Sequence, residues 1–147
     1  MDTIAEAMKN TVPWITTAGI TFKEVTATHA TTQLPDTESQ RNHVGGPHAA
    51  VVFGPAETAS GAVLLAAFAN ELTRAVPLVI HAEITYKKLA LGNLTATAEL
   101  GRPANEVIAE LDAGNRPEFP IHVTITNTEG ATTAKMTVTW TLRPNRT

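Results

Sequence analysis

Four stretches of this chain place an apolar residue at every second position. Leu78, Ile80, Ala82, Ile84 and Tyr86 alternate with Val79, His81, Glu83, Thr85 and Lys87. Leu94, Ala96, Ala98 and Leu100 alternate with Asn93, Thr95, Thr97 and Glu99. Ile121, Val123 and Ile125 alternate with His122, Thr124 and Thr126. Beyond the turn Asn127-Thr128-Glu129-Gly130, Ala134, Met136, Val138, Trp140 and Leu142 alternate with Thr133, Lys135, Thr137, Thr139 and Thr141. Period two marks strands with one buried and one polar face, as antiparallel sheets show. A further extended stretch is expected from about Gly19 to Leu34, followed by a polar loop to Pro47.

Three segments read as helices. Asp2 to Asn10 sets Ile4, Ala5 and Met8 on one side, with Pro13 as its stop. Glu106 to Asp112 spaces Val107, Ile108 and Leu111 for a short helix, and Gly114 ends it. The longest runs from His48 to about Thr73 and is hydrophobic nearly all round, so it must be covered on all sides. With about five one-sided strands and a single long helix, the packing solution is a curved antiparallel sheet folded around that helix. The fold class is therefore α+β, and residues 1–147 are expected to form one domain.

Composition removes several functions. The absence of cysteine excludes disulfide frameworks, thiolate catalysis and cysteine-rich zinc sites. A net charge of −3 argues against a nucleic-acid partner. Met1 to Glu6 lacks a basic leader and an apolar core, so a secretory signal is not expected and a cytoplasmic location is. Ala49 to Ala69 is long enough to span a bilayer, yet it carries Gly54-Pro55, Glu57, Thr58, Ser60 and Gly61. A buried helix in a soluble protein is the expected reading, with no membrane insertion.

Between Arg41 and Glu71 the only formal charge is Glu57. A carboxylate among Ala, Val, Phe and Gly loses hydration on folding, which raises its proton affinity. Either Thr58, Ser60 or a histidine satisfies it, or the chain uses it. Upstream, Pro47-His48 opens the helix, and Gly45-Gly46 lets the loop backbone approach a ligand closely. The first helical turn exposes N–H groups with positive potential, suited to a carbonyl oxygen gaining negative charge. Ala49 is small and leaves such an N–H accessible. Glu57 lies nine residues past His48, about 13 Å along an ideal helix. The two features meet at one atom only if two copies pack antiparallel. Pro55 is expected to kink the helix just before Glu57.

The spacing of Asn42, Gly45, His48, Ala49, Ala50 and Glu57, followed by Thr58-Ala59, resembles the hotdog-fold thioesterases of the PaaI-like group. The resemblance covers nearly the whole chain. It implies a hotdog fold of about five to six strands around one central helix. It also implies a homodimer or dimer of dimers that binds acyl-CoA as substrate at the interface, with no metal or bound cofactor. On that likeness Glu57 is the general base or nucleophile, and the Ala49 N–H polarises the thioester carbonyl. Asn42 positions water or the acyl group, and His48 shapes the loop and braces the helix start. Thr58 and Gly61 flank the acid and line the acyl pocket, or simply allow close helix–sheet packing. The chain departs from the group's pattern at Ala49-Ala50, where Gly-Gly is usual, and at Gly54-Pro55.

Other readings stand beside this one. A non-catalytic hotdog module that binds an acyl thioester or hydrophobic ligand fits the same fold, as does a hydratase or dehydratase. His43, His48 and Glu57 have no strong metal-ligand spacing. His29, His81 and His122 read as surface or dimer-face residues on strands. Lys87, Lys88, Arg102 and Arg143 are candidates for CoA phosphates or for an ordinary solvated face. Trp14 and Trp140 are expected in the core or an interface.

Overall fold

The computed structural model describes residues 2–146, so the two ends of the span expected as one domain lie outside it. Its centre is helix α3, Ala49–Ala67, against which a six-stranded sheet packs. The strands are β1 (Thr21–Val25), β2 (His29–Leu34), β3 (Ala75–Tyr86), β4 (Leu94–Leu100), β5 (Glu118–Thr126) and β6 (Thr132–Pro144). They lie in the order β1-β2-β4-β5-β6-β3, and every neighbouring pair is antiparallel. The apolar phases of β4, β5 and β6 all point at α3. Ala96, Ala98, Ile121, Ile125 and Val138 are fully buried against Ala56, Ala59 and Val63 of the helix. Alanine on both sides of this contact lets the helix lie close to the sheet.

The polar face of the sheet is paved with threonine. Thr31, Thr97 and Thr124 stand side by side across β2, β4 and β5. The Thr31 and Thr97 hydroxyls meet at 3.4 Å, and Gln33 donates to Thr95. β-branched side chains suit this pleated surface and hydroxyls pair across it.

Several expectations are corrected. The stretch from Gly19 to Leu34 is not one strand but the hairpin β1–β2, turned at Thr26–Thr28. There the Thr26 hydroxyl accepts from the N–H groups of Thr28 and His29. Polar turn chemistry hidden in a threonine-rich run gave no glycine or proline signal. Pro13 closes the first helix, α1 (Asp2–Thr11), but also opens a second, α2 (Pro13–Ala18), where its missing N–H costs nothing. Helix α3 ends at Ala67 rather than near Thr73. Phe68 turns away from helical dihedrals and is buried against Phe119, ring centroids 5.1 Å apart. A short 3₁₀ turn, Ala69–Glu71, then leads into β3, which starts at Ala75 rather than Leu78. The helix expected over Glu106–Asp112 is α4, Ala104–Asp112, and Gly114 at φ +82° follows it.

Strand β3 holds the subtlest correction. Its register against β6 slips between Val79 and His81, leaving Ile80 as an extra residue. Pro77 and Val79 oppose the inward Leu142 and Trp140, whereas past the bulge Ala82, Ile84 and Tyr86 oppose Val138, Met136 and Ala134. The apolar phase therefore changes from odd to even positions. Leu78 and Ile80, expected inward, lie on the other face, and Val79 is the residue that shares the Trp140 side. β3 is also an edge strand, and Val79, Ile80 and Tyr86 are each more than 40% exposed.

Helix α3 passes through Pro55 without a break. The Pro55 carbonyl accepts a buried hydrogen bond of 2.7 Å from the Thr32 hydroxyl. α3 is long and apolar enough to cross a membrane, but most of it is buried within this fold. Cover is incomplete on one stripe: Ala50 is exposed, and Phe53 and Glu57 are half-buried.

Candidate active site

The loop before α3 is organised by Asn42. Its Oδ1 accepts from the N–H groups of Val44 and Gly46 at 3.0 and 3.2 Å, and its Nδ2 donates to the Pro47 carbonyl. Its backbone N–H donates to the Gly46 carbonyl at 2.7 Å. An asparagine that bonds the backbone two and four residues on closes a tight turn, which needs Gly45 at φ +81°. Gly46 is required for another reason. A Cβ there would stand 2.6 Å from the Ala90 carbonyl oxygen, so the close approach this glycine permits is to the chain itself.

His48 is the N-cap of α3. Its backbone is extended, at φ −60° and ψ 145°, and its Nδ1 accepts from the Ala50 N–H at 3.1 Å. Its own N–H donates to the Gln40 carbonyl. Both bonds brace the helix start. The Ala49 N–H finds no acceptor among the described residues, and Ala49 is exposed. Asn42 and Ala49 line a cavity of about 370 Å³, walled opposite by Tyr86, Lys87, Lys88 and Leu89. The Tyr86 hydroxyl donates to the Ala49 carbonyl at 2.9 Å. Neither lysine makes an ion pair among the described residues, whereas Arg102 is held by Glu110.

Glu57 faces a second cavity of about 280 Å³, with Thr58, Gly61, Met8, Trp14 and Trp140 among its walls. Its carboxylate has no hydrogen-bond or ion-pair partner among the described residues. The Ser60 hydroxyl instead donates to the backbone carbonyl of Glu57 at 2.7 Å and accepts from the Trp140 indole N–H at 3.0 Å. Burial without compensation raises the Glu57 pKa above the ordinary carboxylate value of 4.5. A carboxylate in this state binds a proton more tightly than a solvated one, which suits a general base. Thr58 and Gly61 are buried beside it.

Within one protomer, then, the expected site residues fall into two groups. Asn42, Gly45, Gly46, His48 and Ala49 gather at the helix start, and Glu57, Thr58 and Gly61 gather two turns further on. Among the described residues, neither of these two cavities is lined by members of both groups. Among the described residues no three or more metal-binding side chains cluster, so His43, His48 and Glu57 do not meet as a ligand set.

The profile of a family described as Domain of unknown function (DUF4442) matches residues 2–142. The chain belongs to that family. No functionally curated protein has a matching sequence. Among solved structures, this DUF4442 member is similar to a protein of unknown function from Pseudomonas aeruginosa described as a probable thioesterase. That match has 18% identity and a TM-score of 0.86, over 98% of this chain and 95% of the other. It is also similar to a thioesterase family protein from Silicibacter pomeroyi, at 16% identity and TM-score 0.78, over 97% and 96% of the two chains. A mutant thioesterase from Pseudomonas aeruginosa matches at 12% identity and TM-score 0.78, over 98% and 94%. At these identities the likeness shows the fold, a hotdog sheet and helix.

Sequence reasoning missed three contributors to these cavities. The alternation makes Tyr86 an inward strand residue, with nothing to reveal its bond to Ala49. Leu89, half exposed, lies after β3 where the alternation stops. Trp14 is expected from the sequence in the core or an interface. It is 49% exposed, and its indole lies against Gly54, where a Cβ would come within 2.3 Å of the ring. The signal was available in Gly54, a glycine in mid-helix with no turn to explain it.

Proposed function

We propose that this protein is a cytoplasmic acyl-CoA thioesterase of the PaaI-like kind, a single hotdog domain acting as a homodimer or dimer of dimers. The observation that carries the reading is Glu57. It is a half-buried carboxylate without a partner among the described residues, on the central helix, facing an apolar cavity. The likeness of the fold to thioesterases supports it.

In the proposed reaction Glu57 takes a proton from water, and the water oxygen attacks the thioester carbonyl carbon. Negative charge gathers on the carbonyl oxygen, opposite the unpartnered N–H of the partner's Ala49 at its helix start. The C–S bond then breaks. The thiolate of CoA takes up the proton held by Glu57, leaving free acid and CoA. Lys87 and Lys88 at the rim of the helix-start cavity suit the CoA phosphates. Asn42 acts in this scheme mainly by holding the loop, since both ends of its amide are already engaged there. That engagement is what favours the second reading, a binding module in which no side chain orders the attacking water.

A CoA-release assay across short, long and aromatic acyl-CoA substrates tests the proposal. Glu57→Gln should lower kcat by roughly a hundredfold to ten-thousandfold with little change in substrate affinity. Release by the wild type that is matched by Glu57→Gln would remove Glu57 from the chemistry. No release on any substrate would favour the binding module.

A further inference from the structure

Gly54, Glu57, Thr58, Gly61 and Leu65 recur at helical spacing along one stripe of α3, and helices α1 and α2 lie over it. The two glycines are each covered by a side chain from these helices. The Trp14 indole sits on Gly54. The Met8 methyl sits on Gly61, 3.4 Å from where a Cβ would stand. Glu57 lies between the two covers, which are seven residues, about 10 Å, apart along the helix. At the Gly61 end the walls are Leu64, Met8 and Trp140, all buried. At the Gly54 end the half-exposed Trp14 indole stands between the cavity and solvent. At about 280 Å³ the space lies at the lower edge of the range that takes a drug-sized ligand. Its lining is aromatic and aliphatic apart from Glu57 and two threonines.

We propose that Trp14 is a specificity-determining residue: laid across Gly54, its ring closes the outer end of the Glu57 cavity and restricts the acyl group held there to short or medium apolar chains. This rests on the thioesterase reading and adds to it the substrate class and the residue that sets it. Removing the ring opens the cavity toward solvent, where a longer chain gains room. Adding a methyl at Gly61, whose neighbours stand at ordinary contact distance, shortens the space from the closed end. The two changes push chain-length preference in opposite directions. A merely destabilised fold lowers turnover on all substrates alike.

The test measures kcat/KM for straight-chain substrates from acetyl-CoA to palmitoyl-CoA. The wild type should prefer chains well short of palmitoyl. Trp14→Ala should raise the dodecanoyl-to-butyryl ratio by roughly tenfold or more, Trp14→Phe by less, and Gly61→Ala should lower it. An unchanged ratio in Trp14→Ala, or an equal loss on all chains, overturns the proposal. A second readout is independent of hydrolysis. The chain contains two tryptophans, and Trp14 and Trp140 both line this cavity. Straight-chain alcohols from butanol to dodecanol should shift the intrinsic fluorescence saturably, with a best length that moves down in Gly61→Ala and, read through Trp140, up in Trp14→Ala. If the alcohols bind in this pattern while no acyl-CoA is hydrolysed, the cavity assignment stands and the catalytic reading falls. If no saturable shift occurs, the cavity assignment falls even where hydrolysis is seen.

Discussion

The raised pKa of Glu57 means that the folded protein binds its proton more tightly than the unfolded chain does. Between the ordinary carboxylate value and the folded one, the native state therefore holds more protons. Stability from this group is full below the unfolded pKa and is lost as pH rises through the folded pKa. Glu57→Gln, which cannot ionise, should melt at a higher temperature than wild type at pH 7 to 8, and the difference should vanish under acid conditions below both values. Activity runs the other way. As a general base Glu57 works ionised, so kcat/KM should rise with pH along a limb lying above the usual carboxylate range and missing in Glu57→Gln. Thermal melts and a pH–rate profile check the two halves. This residue was legible in the sequence because the signal was negative, a charge without company across a long apolar run. Trp14 was not, because an aromatic beside a proline says nothing about which distant glycine it covers.

At the scale of elements, alternation made β4, β5 and β6 readable and misled on β3. A strand with one extra residue keeps its apolar character but changes face midway, and only the partner strand reveals where. The long helix was plain from composition, while its end was not, since Phe68 to Thr73 contains no glycine or proline to mark a stop, and the chain leaves the helix where Phe68 docks on Phe119. The loop before α3 shows how a motif can be right in position and plain in cause. Gly46 was expected to make room for a ligand, and it makes room for Ala90. Gly46→Ala should therefore destabilise the fold by about 1–3 kcal/mol even without substrate, because backbone must move to accept the methyl. Urea unfolding monitored by far-UV circular dichroism checks this. A loss of activity without loss of stability would return Gly46 to a binding role.

For the whole molecule, the separation of the two residue groups is the central fact. In the proposed dimer each site takes Glu57 from one protomer and the helix start from the other, so defects in the two groups should complement. Ala49→Pro removes the N–H in question at a position where proline is tolerated, and His48 before it already has the extended backbone proline demands. Each variant alone should be inactive as a homodimer. Mixed and allowed to exchange, Ala49→Pro and Glu57→Gln should recover about a quarter of wild-type activity, since half the dimers are mixed and each carries one intact site of two. No recovery after proven exchange would place the whole reaction within one protomer.

The long outer strand β3, with Val79 and Ile80 bare along a row of unpaired backbone groups, gives this arrangement a temporal side. An open edge of that kind is a template for any extended chain that arrives first. A newly made protomer would thus race between finding its twin and sticking to something else. If the proposed thioesterase dimer is the working form, the earliest molecules in a cell would be idle and vulnerable, and activity would begin only once their number allowed them to meet.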